Sequence, residues 1–399
     1  MPEDLRTQTG YITKFGPLVT QGNEAHVHHL VVYMCSGLND SHVGNGHDCE
    51  NGNVAVQVQQ CRGGTYLAAW AVGGEEFVYP DNVAYPFGGE GYIMIELHYD
   101  NPHEIEGTPD SSGLRLWYTK TPREHDAGLL TVGHFVHPYH VIPPNSQNFI
   151  STGLLTEQCS KDFIPEGGIH VFANFFHTHV AGHGLSLQHI RYNSECGVYE
   201  ELEPIDENLK YDFDYQQFTH LRHEVLVKRG DIVQVKCFYR TAGNDKVTFG
   251  GLGTREEMCI SSFVYYPRID LGFSVSQITE SDYHDFLRTT RPGQQILSGE
   301  VEYVDGMNAI DWDDNLKTTF QKMLDNATQN VLCGVDFENY VFQTTKLPKV
   351  GCSYMAPDQC SEFTPPTCCE RIGAVEDGGM VLRASVALLA LSLLTAFTG

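Results

Sequence analysis

Tyr92-Ile93-Met94-Ile95-Glu96-Leu97-His98-Tyr99 is an alternating run. With a side-chain period of two, Ile93, Ile95 and Leu97 fall on one face of a strand and Met94, Glu96 and His98 on the other. Leu114–Tyr118, Ile169–Phe176 and Leu185–Tyr192 are further short apolar or alternating runs. Clusters of Gly, Pro, Asn and Asp divide them, and long stretches of 3.6 period are few. The pattern predicts an all-β fold of two antiparallel β-sandwich or jelly-roll domains. Glu224–Lys228 and Ile232–Tyr239 flank Arg229-Gly230-Asp231, which reads as a hairpin turn in preference to an integrin-binding tripeptide.

Two of the β-like stretches carry paired histidines: Glu24-Ala25-His26-Val27-His28-His29-Leu30 and Phe176-His177-Thr178-His179. Buried histidines need partners, so a paired set is a candidate site. The strand period puts His177 and His179 on one face, where both imidazoles can converge on one ion. His28 and His29 would point to opposite faces of an ideal strand. They can share an ion only through a local bulge or by using different ring nitrogens. His98 lies on the face of its run opposite Ile93, Ile95 and Leu97. Taken alone, either pair reads as satisfied structural histidines and Met258 as core packing.

The ordered set of motifs is more specific than any one of them. It comprises Gln21-Gly22-Asn23-Glu24 through His29, Leu67-Ala68-Ala69-Trp70-Ala71, Phe87-Gly88-Gly89, His98-Tyr99-Asp100-Asn101-Pro102 and Asp110-Ser111-Ser112-Gly113. It continues with Gly168-Ile169-His170-Val171-Phe172-Ala173, His177-Thr178-His179, Glu256-Glu257-Met258-Cys259 and Tyr265-Tyr266-Pro267. Together these resemble the type II copper, ascorbate-dependent monooxygenases, nearest to the dopamine β-hydroxylase-like branch through Gly250-Gly251-Leu252-Gly253-Thr254-Arg255 and Tyr266-Pro267-Arg268-Ile269.

The resemblance implies two copper ions, with ascorbate as reductant. His28, His29 and His98 match the copper that relays electrons. His177, His179 and Met258 match the copper where oxygen is activated, and a thioether there favours Cu(I). His170 matches a family position seven residues before His177. Its odd spacing predicts the opposite face, in a supporting role behind the ligands. Two departures bear on substrate. Phe175 stands where peptide-amidating relatives hold a substrate carboxylate with Arg, and Ser262 stands where the family usually has Tyr. The two positions are substrate-pocket candidates, and they predict a roomier, more apolar pocket that takes a hydrophobic or aromatic small molecule.

Lys and Arg number 25 against 51 Asp and Glu, a formal net charge of −26, which argues against nucleic acid and anionic membrane surfaces as partners. Twelve cysteines point to an oxidising compartment. The resemblance implies disulfides Cys35–Cys61, Cys159–Cys333 and Cys237–Cys259, and Leu155 and Ser274 occupy both ends of a further family bridge. It assigns no partner to Cys196, leaves Cys49 without one, and does not fix the pairing of Cys352, Cys360, Cys368 and Cys369.

Four segments follow: a first copper domain over 1–124, a second over 125–345, a Cys-rich tail over 346–380, and an apolar terminus over 381–399. That terminus suits a glycolipid-anchor signal or a short tail anchor, the only expected membrane contact. The opening Met1-Pro2-Glu3-Asp4-Leu5-Arg6 has no apolar run, so the expectation is a chain lacking its natural start, signal peptide and N-terminal DOMON domain. Asn39 and Asn326 begin glycosylation acceptor motifs. The expected location is the secretory pathway, lumenal or extracellular, tethered to the reticulum membrane or the cell surface. Nothing in the sequence sets an oligomeric state.

The combined reading is a copper monooxygenase acting on a small molecule with O2 and ascorbate. One alternative is a catalytically silent copper-binding or cell-surface protein of the same fold, which would be expected to lack some of the six ligands. Another is a zinc hydrolase, which would have no need of Met258.

Overall fold

The computed structural model describes residues 3–35, 38–47, 58, 61, 66–89, 91–101, 103–290, 300–336, 339–356 and 368. The chain divides into one unit of Met1–His189 with Pro204–Leu347 and another of Ile190–Glu203 with Pro348–Gly399. Both histidine motifs lie in the first. After the short helix α1 (Glu3–Arg6) come β1 (Thr9–Leu18), β2 (Val27–Cys35), β3 (Tyr66–Ala71), β4 (Phe77–Val78), β5 (Val83–Gly88), β6 (Tyr92–Tyr99), β7 (Gly113–Thr119) and β8 (His125–Asp126). They make a three-stranded sheet in the order β3-β2-β6 and a five-stranded sheet in which β1 lies between β5 and β7 and also pairs β4. Ile12, Phe15, Val32, Leu67, Phe77, Tyr79 and Tyr85 are buried together in the first core. Strand β6 is half-buried on both faces: Ile93 packs against this core while Ile95 on the same face is 46% exposed, so alternation does not give the strand one wholly buried face. Among the described residues only β2 pairs with β6 in this sheet.

The chain changes sheets at Ala127. The second group is β9 (Gly128–His134), β10 (Val141–Ile142), β11 (Phe149–Leu155), β12 (Ile169–His177), β13 (Gly182–Asn193), β14 (Val198–Glu201), β15 (Asp206–Asn208), β16 (Thr219–Val227), β17 (Ile232–Tyr239), β18 (Thr248–Phe249), β19 (Ile260–Tyr266), β20 (Phe273–Ile278), β21 (Thr328–Gly334), β22 (Tyr340–Lys346) and β23 (Val350–Cys352). A seven-stranded sheet, β16-β12-β19-β9-β20-β21-β22, is antiparallel except where β20 runs parallel to β9. Strands β11, β17 and β13 pair in that order in the other sheet, and β15 pairs with β13. Leu130, Val132, Leu155, Val233, Val235 and Phe263 fill the core between them. Leu129, Phe172, Ala173 and Val264 belong instead to the first core, so one face of the seven-stranded sheet is the surface on which the first domain packs. At one point the second domain's sheets approach closely: a Cβ on Gly153 would overlap the backbone of Gly133, whose own added Cβ would crowd the Cys259 carbonyl.

Two features differ from the sequence reading. The helices α2 (Glu157–Phe163), α3 (Glu280–Thr290), α4 (Glu300–Asn308) and α5 (Asp314–Asn326) include a group over 280–326 that a β pattern does not foresee. Asp313 caps α5 by accepting the Leu316 amide, and Phe320 stacks on Phe149 with ring centroids 6.0 Å apart. Arg229-Gly230-Asp231 is not a hairpin turn, because β16 and β17 belong to different sheets. The Asp231 carboxylate is buried, accepts from the Lys228 amide at 2.7 Å and lies 2.7 Å from His189 Nε2, which removes it from any surface partner.

Disulfides join Cys35 to Cys61, Cys159 to Cys333 and Cys237 to Cys259. At the position of the missing family bridge, Ser274 Oγ donates to the Leu154 carbonyl at 2.8 Å. In the smaller unit Cys352 is bonded to Cys368, β23 runs parallel to β14, and Cys196 is also disulfide-bonded. Cys49 and the 381–399 segment lie outside the described residues, among which no helix is long and apolar enough to cross a membrane.

Candidate metal centre

The register of β2 explains how adjacent histidines meet. Its pairing with β6 shifts between Val27 and His29, so His28 is the extra residue of a bulge and its ring turns to the side of His29. His29 stands directly opposite His98. The result is a cluster of three imidazoles: His29 Nδ1 is 3.2 Å from His28 Nδ1 and 3.3 Å from His98 Nδ1. Two nitrogens bonded to one ion at about 2.0 Å in tetrahedral disposition lie about 3.3 Å apart, so the spacing fits a shared metal. It is the one group of three or more His, Cys, Asp or Glu ligand atoms among the described residues that converges this way. Burial pushes His28 down to about 4 and His29 well below the ordinary range, which leaves neutral rings with lone pairs to donate. His28 Nε2 is buried without a hydrogen-bond partner, and its ring stacks on Phe213 at 4.3 Å.

His177 is the last residue of β12, and His179 follows in the turn beyond it. Their rings stand nearly perpendicular, 85° apart, with centroids separated by 5.2 Å. Each has its Nδ1 engaged by an acceptor. His177 Nδ1 is 2.7 Å from Gln216 Oε1, and His179 Nδ1 is 2.9 Å from the Glu256 carbonyl. Both protons are thereby fixed on Nδ1, which directs Nε2 toward a metal. Burial lowers both rings, His177 to about 3. Met258 sits two residues before Ile260, the register partner of His177. The Tyr239 hydroxyl donates to its carbonyl at 2.5 Å, and Cys237–Cys259 braces the next residue. Beside it, Glu257 is fully buried, and burial raises its carboxyl to about 7 against the pull of several backbone amides.

The two sets adjoin. The His29 ring lies 6.1 Å from that of His177, and Phe213 packs on His28 while presenting its edge to His179 at 6.1 Å. Phe213 and Gln216 come from the segment between β15 and β16. Tyr211 from the same segment donates to the Thr178 carbonyl at 2.9 Å, between the two second-set histidines. No spacing in the sequence marks these three residues, because their partners are 33 to 39 positions away or in the other domain.

Phe175 shares the His177 face, packs on Phe218 with ring centroids 5.0 Å apart, and lines a small cavity of about 10 Å³ together with Trp70, Glu75, Gln216 and the core rings Phe15 and Phe77. Ser262, its register partner, does not line that pocket. It is fully buried, and the Tyr66 hydroxyl reaches across from β3 to both Ser262 Oγ and Thr131 Oγ1. The room expected from losing a phenol at position 262 is therefore filled by one from the other domain. His170 also departs from expectation. A bulge between Val171 and Ala173 puts it on the same face as Phe175 and His177, where it stacks half-exposed on Tyr266 at 5.1 Å and faces Glu224 at 3.8 Å. A single extra residue reverses the parity on which the opposite-face reading rests.

The chain is similar to known proteins over most of its length. Residues 1–106 match the N-terminal domain family of copper type II ascorbate-dependent monooxygenases, and residues 125–287 match the C-terminal domain family. The chain is 35% identical to "DBH-like monooxygenase protein 1" of Gallus gallus over 84% of its own length and 56% of that protein. It is 36% identical to the Homo sapiens protein of the same name, over 81% and 54%. It is also 36% identical to dopamine beta-hydroxylase of Homo sapiens, over 67% and 43%. The chain thus spans about half the length of the relatives it matches.

Proposed function

Because the chain belongs to the copper type II ascorbate-dependent monooxygenase family, we propose that it hydroxylates a C–H bond of a small apolar or aromatic molecule. One atom of O2 enters the product and the other leaves as water, with ascorbate supplying two electrons. The observation that carries this reading is the pair of adjoining imidazole sets, one converging through Nδ1 and the other held with Nε2 outward. Copper held by His28, His29 and His98 and by His177, His179 and Met258 would supply one-electron redox chemistry at the first set and oxygen activation at the second.

The chain's own residues prepare the ground for that chemistry. Burial keeps the imidazoles neutral and able to bind metal. Gln216 and the Glu256 carbonyl hold the Nδ1 protons, and the thioether of Met258 favours the reduced ion that must meet oxygen. Phe175 offers an aromatic face and no cation, so a peptide carboxylate finds no bidentate partner there, which favours an uncharged substrate.

The same proposal places the protein in the lumenal or extracellular space, with the 381–399 segment as its tether. The disulfides support an oxidising compartment, and Asn39 and Asn326, the expected glycosylation sites, are exposed.

The test is metal analysis followed by turnover with ascorbate on glycine-extended peptides, phenylethylamines and uncharged aromatics. About two coppers per chain and preferred turnover of aromatics support the reading. One zinc and no ascorbate-dependent oxygen uptake would replace it with a hydrolase, and bound copper with no turnover of any class would leave a silent binding protein. Preferred turnover of peptides would sink the role given to Phe175.

A further inference from the structure

The ladder between β12 and β19 stops at the pair His177–Ile260. His179 on one side and Met258 on the other lie past its end, where no strand pairing holds them together. Two ligands of one ion would be left on fraying segments. Glu257 occupies this gap. Its Oε2 accepts from the His179 amide at 2.8 Å and the Met258 amide at 3.3 Å, and its Oε1 accepts from the Ala181 amide at 2.6 Å. A carboxylate offers about four lone-pair sites, and these three backbone donors occupy most of them. The main chain of Glu257 is itself fixed, with its N–H donating to the Phe249 carbonyl at 2.8 Å and its carbonyl accepting from the Gly251 amide at 3.2 Å.

We propose that Glu257 is the positioning residue of the second set: its carboxylate replaces the missing ladder, binds the 179–182 turn to the Met258 backbone, and so keeps the thioether with the two imidazoles and gives the site its preference for Cu(I). This rests on the proposed copper chemistry. Glu257 touches neither metal nor substrate and acts through the backbone of both ligand segments. The three donor distances and full burial distinguish it from the neighbouring Glu256, whose side chain is exposed and whose contribution to His179 comes from the main-chain carbonyl.

Glu257→Gln preserves shape but turns one acceptor into a donor that faces N–H groups. Two measurements read the result. In metal-free protein, hydrogen exchange of peptides covering 178–182 and 256–259 should accelerate at least about tenfold, while peptides within β12 and β19 stay protected. In copper-loaded protein, competition titration should show Cu(I) affinity at the second set falling about 10–100-fold, with Cu(II) affinity changing much less because the donor released is the thioether. The first set should be unaffected. A purely structural role would instead weaken Cu(I) and Cu(II) alike and lower the melting temperature across the domain. Unchanged exchange in the two peptides, or equal loss of both oxidation states, overturns the proposal. If Glu257→Gln does not fold, Glu257→Asp keeps the charge but shortens the reach, and the same pair of measurements decides with a smaller expected change. A wild-type chain that binds no copper would refute the copper reading. The exchange measurement would still judge the clasp.

Discussion

Replacing Gln216 by Leu tests how the second imidazole set is oriented. The side chain is 1% exposed and makes two buried bonds: Oε1 accepts from His177 Nδ1 at 2.7 Å, and Nε2 donates to the Phe213 carbonyl at 2.7 Å. Leucine fills the same space and satisfies neither. A buried donor left without an acceptor costs about 1–3 kcal/mol. Loss of the group that fixes a ligating imidazole's tautomer lowers metal affinity about 10–100-fold, which is about 1.4–2.7 kcal/mol. The two figures describe one effect and overlap, so a drop of that size in second-set copper affinity is expected. The first set should keep its affinity, because its three Nδ1 atoms make no bond to Gln216. Titration of copper-loaded protein with a chromophoric Cu(I) chelator separates the sets as two steps, of which one should move. Gln216→Glu retains an acceptor for His177 and should restore most of the loss. An unmoved second step refutes the tautomer argument. Equal movement of both steps would show that the Phe213 segment had rearranged instead.

Three further outcomes are expected. His98→Ala removes one of three converging nitrogens and should lower copper from about two to about one per chain by elemental analysis; loss of both would mean that the adjoining sets do not bind independently. Met258→His should retain copper but weaken the preference for Cu(I) and suppress ascorbate-dependent oxygen uptake; unchanged uptake removes the thioether from the mechanism. Acid should destabilise the fold through His134, which is buried and stacked on His140 at 4.4 Å, and which burial lowers from the ordinary 6.5 to about 4. The unfolded chain takes up this proton first, so the contribution is complete above about 6.5 and is lost as pH falls from there to about 4. It amounts to about 3 kcal/mol. Urea midpoints at pH 7, 5.5 and 4.5 should fall in that order, and a His134→Phe variant should fall less steeply.

The fold class was legible because β patterning is local. Alternation and turn residues mark strands such as β7 and β12 wherever they end up in the sheets. What alternation cannot see is an inserted residue. The bulge at His28 makes an adjacent pair converge, and the bulge before Ala173 moves His170 to the face of His177, each by shifting parity by one. The helices over 280–326 escaped because their apolar positions read as short runs until Phe320, Tyr283 and Tyr303 gather in one cluster. Arg229-Gly230-Asp231 looked like a hairpin because a turn motif carries no information about which sheet the next strand joins.

The site was legible as residue types and illegible as contacts. The six candidate ligands stand in motifs, but what aims them comes from elsewhere in the chain: Gln216 for His177, Tyr239 for the Met258 carbonyl, and Phe213 against His28. Two motifs in two segments of the chain do not say how near the two sets lie. The sheet face that carries Leu129, Phe172, Ala173 and Val264 bears on this, since it is buried in one core with Val32 of β2 and Leu67 and Ala68 of β3. His29 then meets His177 edge to face, with no layer of protein between the rings. The packing that hides apolar surface is thus the same packing that brings the two sets together. Tyr66, bonded across the seam to Thr131 and Ser262, is a part of that packing which no motif predicts. A substitution along this seam that leaves all six candidate ligands in place would still be expected to change how the sets meet.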